Sequence, residues 1–85
     1  DYRALTVLYQ RLETLLPDNP VVKFHLGLNR LRVGQNSGAL TVLQEAEKLG
    51  LQEHALWVNL GTALARSDRV EEALVYLRRA APTYE

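Results

Sequence analysis

Leu26-Gly27 returns as Leu60-Gly61, 34 residues further along the chain. At the same offset Ala39 meets Ala73, Leu43 meets Leu77 and Ala46 meets Ala80. One period earlier, Leu5 falls under Ala39, Tyr9 under Leu43 and Leu12 under Ala46. Self-similarity at a fixed period of this length marks an array of supersecondary units, each too small to bury its own apolar face. The register divides the chain into two whole repeats, 20–53 and 54–85, preceded over 1–19 by the second half of another. Residues 1–85 together read as a single domain.

Within each unit the apolar spacing is helical. Leu5, Leu8, Tyr9, Leu12, Leu15 and Leu16 recur at threes and fours, which predicts an amphipathic helix over 2–16. Pro17-Asp18-Asn19-Pro20 stops it. Asn19 is placed to cap a second helix whose first turn accepts Pro20, because an N–H there has no intrahelical partner anyway. That helix runs to about residue 33, where Gly34 suits a left-handed terminus. Asn36 or Ser37 is expected to cap a third helix carrying Ala39, Leu40, Leu43 and Ala46, which Gly50 ends. A fourth covers about 53–66. Asp68 and Glu71 have capping-box spacing for a fifth over about 70–81, closed by Pro82. Short connections force consecutive helices to run antiparallel. No strand pattern is present, so the expected class is all-α, with five helices.

Composition removes several function classes. The 85 residues carry ten basic and ten acidic side chains. A neutral chain with no basic stripe is a poor match to nucleic acid, whose binding rests on many phosphate contacts. The same balance disfavours an anionic lipid surface, and no apolar run is long enough for direct membrane insertion. The absence of cysteine excludes disulfides, thiolate chemistry and cysteine-ligated zinc. It is compatible with both cytoplasm and periplasm. No signal peptide pattern opens the sequence, and a first residue Asp1 is expected of a processed chain or an excerpt.

No side-chain constellation supports catalysis, a metal or a cofactor. His25 and His54 are the only histidines, on different helices and without a carboxylate cluster. Ser37, Ser67 and the threonines have no matched base, and no glycine-rich phosphate loop occurs. The acidic group Asp68, Glu71, Glu72 is better explained by helix capping than by acid–base work. The chain is read as a non-enzyme.

A 34-residue unit of two helices resembles the tetratricopeptide repeat family. The last repeat carries the signature on Trp57, Leu60, Gly61 and Leu64, then Ala73, Leu77 and Ala80, with Leu64 where the pattern prefers Tyr and Leu77 where it prefers Phe. Leu26, Gly27, Ala39, Leu43 and Ala46 hold the corresponding places in the middle repeat. Asp1-Tyr2 and Pro17 match the ends of the family's second helix. The glycines and alanines sit where helices approach most closely, and Trp57, Leu60, Leu64 and Leu77 fill the space between pairs. Trp57 is therefore expected in the core. The resemblance implies a right-handed superhelical stack of antiparallel helix pairs, an α-solenoid. Lys23 stands where the pattern has Trp, and Arg30 where it has Tyr. Their charges are expected to reach water over apolar stems, and the middle pair to pack less tightly. Asp68 takes the turn position held by Gly34.

The second helix carries a further apolar stripe, Val21, Phe24, Leu28 and Leu31, with Ala55, Val58, Thr62 and Ala65 matching it on the fourth and Arg32 and Arg66 at the edge. In the family this stripe lines a concave groove that holds partner peptides, so the resemblance implies a protein–protein interaction module, a scaffold or adaptor. Phe24, Leu28, Val58 and Thr62 occupy the positions of the family's basic clamp for acidic chain ends, which argues against that clamp here. Asn59 matches a site where family superhelices hold peptide backbone, but His25 is its counterpart one repeat earlier. The residues expected to contact a partner protein or peptide are Val21, Phe24, Leu28, Leu31, Arg32, Val58, Asn59, Thr62 and Arg66. Two alternatives stay open. The groove is filled by the parent of a longer array, or the chain is a regulatory or docking appendage of an enzyme. The incomplete N-terminal repeat, with Tyr2, Leu5 and Tyr9, is a further expected surface for self-association.

Overall fold

The computed structural model describes residues 2–81, and every regular element among them is helical. The helices are α1 (Tyr2–Leu15), α2 (Pro20–Arg32), α3 (Asn36–Lys48), α4 (His54–Arg66) and α5 (Val70–Ala80). Each packs on its neighbours in sequence, and α2 and α4 also touch. The boundaries fall within a residue or two of those expected. The expected stop at Pro82 and the burial of Tyr2 lie outside the described side chains.

The caps divide. Asn19 accepts hydrogen bonds from the Val21 and Val22 amides, at 2.9 and 3.2 Å, with Pro20 in the first turn of α2 as expected. Gly34 and Gly50 hold φ of 84° and 100°, the left-handed conformation that only glycine adopts cheaply. The other N-caps differ from expectation. Gln35 precedes α3 and gives no side-chain cap, so neither Asn36 nor Ser37 caps it. Arg69 precedes α5, and the Asp68–Glu71 capping box does not form. The reason is backbone geometry: Asp68 sits at φ 60°, in the turn position that Gly34 holds one repeat earlier, whereas a capping residue needs extended backbone.

The two helix pairs close through one repeated contact. A Cβ built on Gly27 would lie 2.6 Å from Leu43 Cγ, and one on Gly61 would lie 2.7 Å from Leu77 Cγ. The expectation of a looser middle pair is therefore not met: the approach is equally tight in both. Around these contacts the core gathers Leu26, Ala39, Leu43, Ala46, Leu56, Leu60, Ala63, Leu64 and Ala73, all buried. Trp57 departs from its expected burial. It is half-buried at the edge of the core, with the Arg79 guanidinium 5.6 Å from its ring centroid. Leu77 keeps one side against Gly61 and the rest exposed.

Lys23 corrects a second expectation. Its charge does not reach open water: the side chain is 11% exposed, and Nζ donates to Glu13 of α1 at 2.9 Å and Glu45 of α3 at 3.4 Å. One repeat later the same three sites are Glu47, Trp57 and Arg79. There the cation comes from α5, with Arg79 Nη1 donating to Glu47 at 3.4 Å and stacking over Trp57. The joint between successive units is thus a carboxylate–cation clasp both times, and Lys23 stands at the Trp position because there the cation is carried by the first helix of the pair. Arg30 reaches back over α3, donating from Nη1 to the Gly38 carbonyl at 3.3 Å. Asn29, fully buried, donates from Nδ2 to Thr6 Oγ1 and ties α2 to α1.

The Lys23 ammonium is held above the usual lysine pKa of 10.5. The hydrogen bond to Glu13 is the largest cause, burial opposes it, and the charges of Glu13 and Glu45 add to it. Because the folded value is the higher one, this stabilisation is complete below pH 10.5 and is lost as pH rises through the raised value. Lys23→Met is expected to cost about 1 kcal/mol at neutral pH, between exposed and buried pairs. Urea melts should show the gap to the unsubstituted chain narrowing in strong alkali, and a pH-independent gap would reject the clasp.

Candidate functional site

The stripe expected to form one groove is split by the fold. Phe24 is only 8% exposed and, with Leu31, belongs to the core cluster that joins α2, α3 and α4. Val21 and Val58 are well exposed. Phe24 therefore cannot supply the main contact surface expected of it: this chain's own helices already cover it. The cause lies in the helical wheel. Phe24 and Leu31 are seven residues apart, two turns on one face, and that face turns toward α3 and α4.

A different subset of the expected residues does come together. Leu28, Leu31 and Arg32 from α2 and Asn59, Thr62 and Arg66 from α4 line a cleft of about 230 Å³. Leu28 and Thr62 are repeat equivalents, as are Arg32 and Arg66. The cleft thus sits where the last turns of two corresponding helices run side by side. Six of the nine residues expected to contact a partner line it, and Val21, Phe24 and Val58 do not.

Local hydrogen bonding fixes the polar lining. Thr62 Oγ1 donates to the Val58 carbonyl at 2.9 Å, and Asn59 Nδ2 donates to the Ala55 carbonyl at 2.7 Å. These bonds turn both side chains back along α4 and leave oxygen acceptors on the cleft wall. Arg66 Nη1 donates to the Leu31 carbonyl at 3.2 Å. That carbonyl lies in the final turn of α2, where it also accepts from the Gly34 amide at 3.1 Å and where a cation is favoured. Arg66 is thereby held across the gap, with further N–H donors on its fork. Leu28 and Leu31 form the apolar floor. No carboxylate is among the described lining residues. The cleft brings arginine donors, side-chain acceptors and apolar carbon together, which matches the mixed polarity of a polypeptide.

The histidines serve the scaffold. The His25 ring stacks on Tyr9, with centroids 5.7 Å apart and planes 9° apart. His54 Nδ1 lies 2.6 Å from the Ala80 carbonyl and its ring packs beside Trp57. Among the described residues no group of three His, Asp or Glu side chains is placed to hold a metal ion, and no helix is long and apolar enough to cross a membrane.

Sequence reasoning missed the Glu47 clasp. Tyr76 Oη donates to Glu47 Oε1 at 2.7 Å, and the Tyr76 hydroxyl is held above its ordinary pKa mainly by burial, then by that bond. Nothing local announces a pair 29 residues apart. Glu13 and Lys23 did leave a signal: opposite charges facing each other across the short Pro17–Pro20 turn. No protein-family model matches the chain, and no curated protein matches it in sequence.

Two substitutions separate core from surface. Phe24→Glu buries an unpaired carboxylate, costs several kcal/mol and is expected to unfold so small a chain. Val58→Glu, on an exposed helix surface, is expected to change stability by less than about 0.5 kcal/mol. Far-ultraviolet circular dichroism during urea titration measures both. A stable Phe24→Glu chain would return Phe24 to the groove.

Proposed function

We propose that this chain is a protein–protein interaction module, a TPR-like α-solenoid segment that binds a partner peptide or helix along its concave side. The right-handed superhelical stack is part of the same proposal. It draws on the 34-residue register, the duplicated glycine contact and the short turns between helices. The observation that carries the functional reading is the α2–α4 cleft, where Leu28, Leu31, Arg32, Asn59, Thr62 and Arg66 converge.

The division of labour follows from the chemistry. Asn59 and Thr62 offer acceptors to peptide N–H groups, and the arginine rim offers donors to carbonyls or acidic side chains. Apolar contact comes from Leu28 in the cleft and from exposed Val21 and Val58 beyond it, at about 25 cal/mol per Å² buried before association costs. Phe24 supports this surface from below. A second reading, a structural segment of a longer array, draws on α1, none of whose described side chains is fully buried.

Selection of displayed random peptides against the chain, followed by backbone amide NMR of the bound form, tests the site. Shifts are expected at Leu28, Arg32, Asn59, Thr62 and Arg66, and Thr62→Trp, which fills the cleft, is expected to weaken binding at least about tenfold, on the order of 1.4 kcal/mol. Binding should also weaken with added salt, because the rim is charged. Selected peptides that map to α1 or α5 and ignore Thr62→Trp would defeat the cleft as the site.

A further inference from the structure

α5 carries an apolar stripe whose counterpart on α3 is polar at both ends. On α3 the positions Asn36, Leu40, Leu43 and Glu47 form a stripe spaced four, three and four. There α2 and α4 both pack against the helix, Leu43 sitting on Gly27, and Leu40 and Leu43 are 7% and 0% exposed. One repeat later the stripe is Val70, Leu74, Leu77 and Ala81. Leu74 is now 40% exposed, Leu77 is 36% exposed beside its contact with Gly61, and Val70 is exposed as well. The two polar ends of the α3 stripe, Asn36 and Glu47, have both become apolar. A helix end exposed to water would be expected to gain polar residues there; this one loses them.

The charges beside the stripe specify what covers it. Four-three-four spacing is the a/d seam of a heptad, and Glu71 and Arg78 then occupy the same flanking position two turns apart. The other ionic side chains of α5 are already engaged, Glu72 with Arg69 and Arg79 with Glu47. Among the described residues Glu71 and Arg78 make no salt bridge within the chain. When two identical helices pair in antiparallel fashion about a two-fold axis, equal flanking positions face each other. Glu71 of each copy then meets Arg78 of the other, twice by symmetry. In a parallel pair this flank would face the opposite flank, which holds Ala73 and Ala80, and no ion pair would form. Antiparallel packing is also how α4 covers α3, reached through a five-residue turn.

We propose that a second copy of this chain docks on α5, the two α5 helices pairing antiparallel through Val70, Leu74 and Leu77, with Ala81 just past the helix end, and crossing Glu71 with Arg78. The contact is one helix face wide, below the roughly 800 Å² per partner of a standard stable interface, so the dimer is a weak and concentration-dependent one. The association leaves the α2–α4 cleft untouched and presents two copies of it.

Sedimentation velocity of the whole chain from micromolar to millimolar concentration tests this, with circular dichroism to check that each variant is folded. The mass is expected to rise from 9.6 kDa toward twice that value. Leu74→Glu is expected to abolish the rise. Glu71→Arg alone and Arg78→Glu alone are each expected to weaken dimerisation about tenfold or more, and the two together to restore it. Because neither reversal alters a core contact, the rescue remains readable even where Leu74→Glu perturbs folding. A chain that stays at 9.6 kDa throughout overturns the proposal. So does a dimer abolished by Leu8→Glu on the exposed face of α1, or a double reversal that fails to restore association.

Discussion

The structure depends on one contact made twice, a leucine pressed onto a helix surface where no side chain stands. Gly27 admits Leu43 and Gly61 admits Leu77, each at a distance that any Cβ would block. Dispersion is short-ranged, so close approach multiplies the number of atom pairs near their optimum separation. The alanines complete the arrangement. Ala39, Ala46 and Ala73 are buried at positions where larger side chains would hold the helices apart. Once each pair is closed, Leu56, Leu60, Ala63 and Leu64 of α4 meet α3 and join the two pairs into one core. Removing the close approach would not delete one contact. It would lift α3 or α5 away and open the seam beneath it.

Polar clasps sit on top of this packing and set which units are neighbours. Glu13, Lys23 and Glu45 tie α1, α2 and α3 together, and Glu47, Tyr76 and Arg79 with Trp57 tie α3, α4 and α5. Both use a carboxylate from the preceding unit. The cation differs in origin: the first helix of the pair supplies it in one case and the second helix in the other. An exchange of this kind keeps the joint while changing the residue at two of the three sites, so the clasp is a property of three positions taken together.

This explains what the sequence made legible. The five helices, the Asn19 cap, the left-handed Gly34 and the helix end at Gly50 follow from spacing and local backbone chemistry, and one chain is enough to read them; the glycine contacts are what the repeat resemblance implies. The failures have physical causes too. Asp68 looked like a cap because its spacing to Glu71 is right, but the same residue had to make the left-handed turn, and one backbone conformation excludes the other. Lys23 looked like a solvated departure because its partners lie 10 and 22 residues away, on two other helices. The site was half legible. Periodicity put Leu28, Leu31 and Thr62 on one stripe with the two arginines at its edge, the resemblance added Asn59, and these six line one cleft. It could not tell which side of α2 would be covered, because Phe24 and Leu28 are one turn apart and differ only in which neighbour reaches them.

Nuclear Overhauser spectroscopy on the methyl-labelled chain measures the glycine contacts themselves. The account predicts cross-peaks of comparable strength from the Gly27 α-protons to the Leu43 methyls and from the Gly61 α-protons to the Leu77 methyls. The absence of either would contradict it, because the helix pair concerned would then be standing apart and the repeated contact on which the rest is built would not exist.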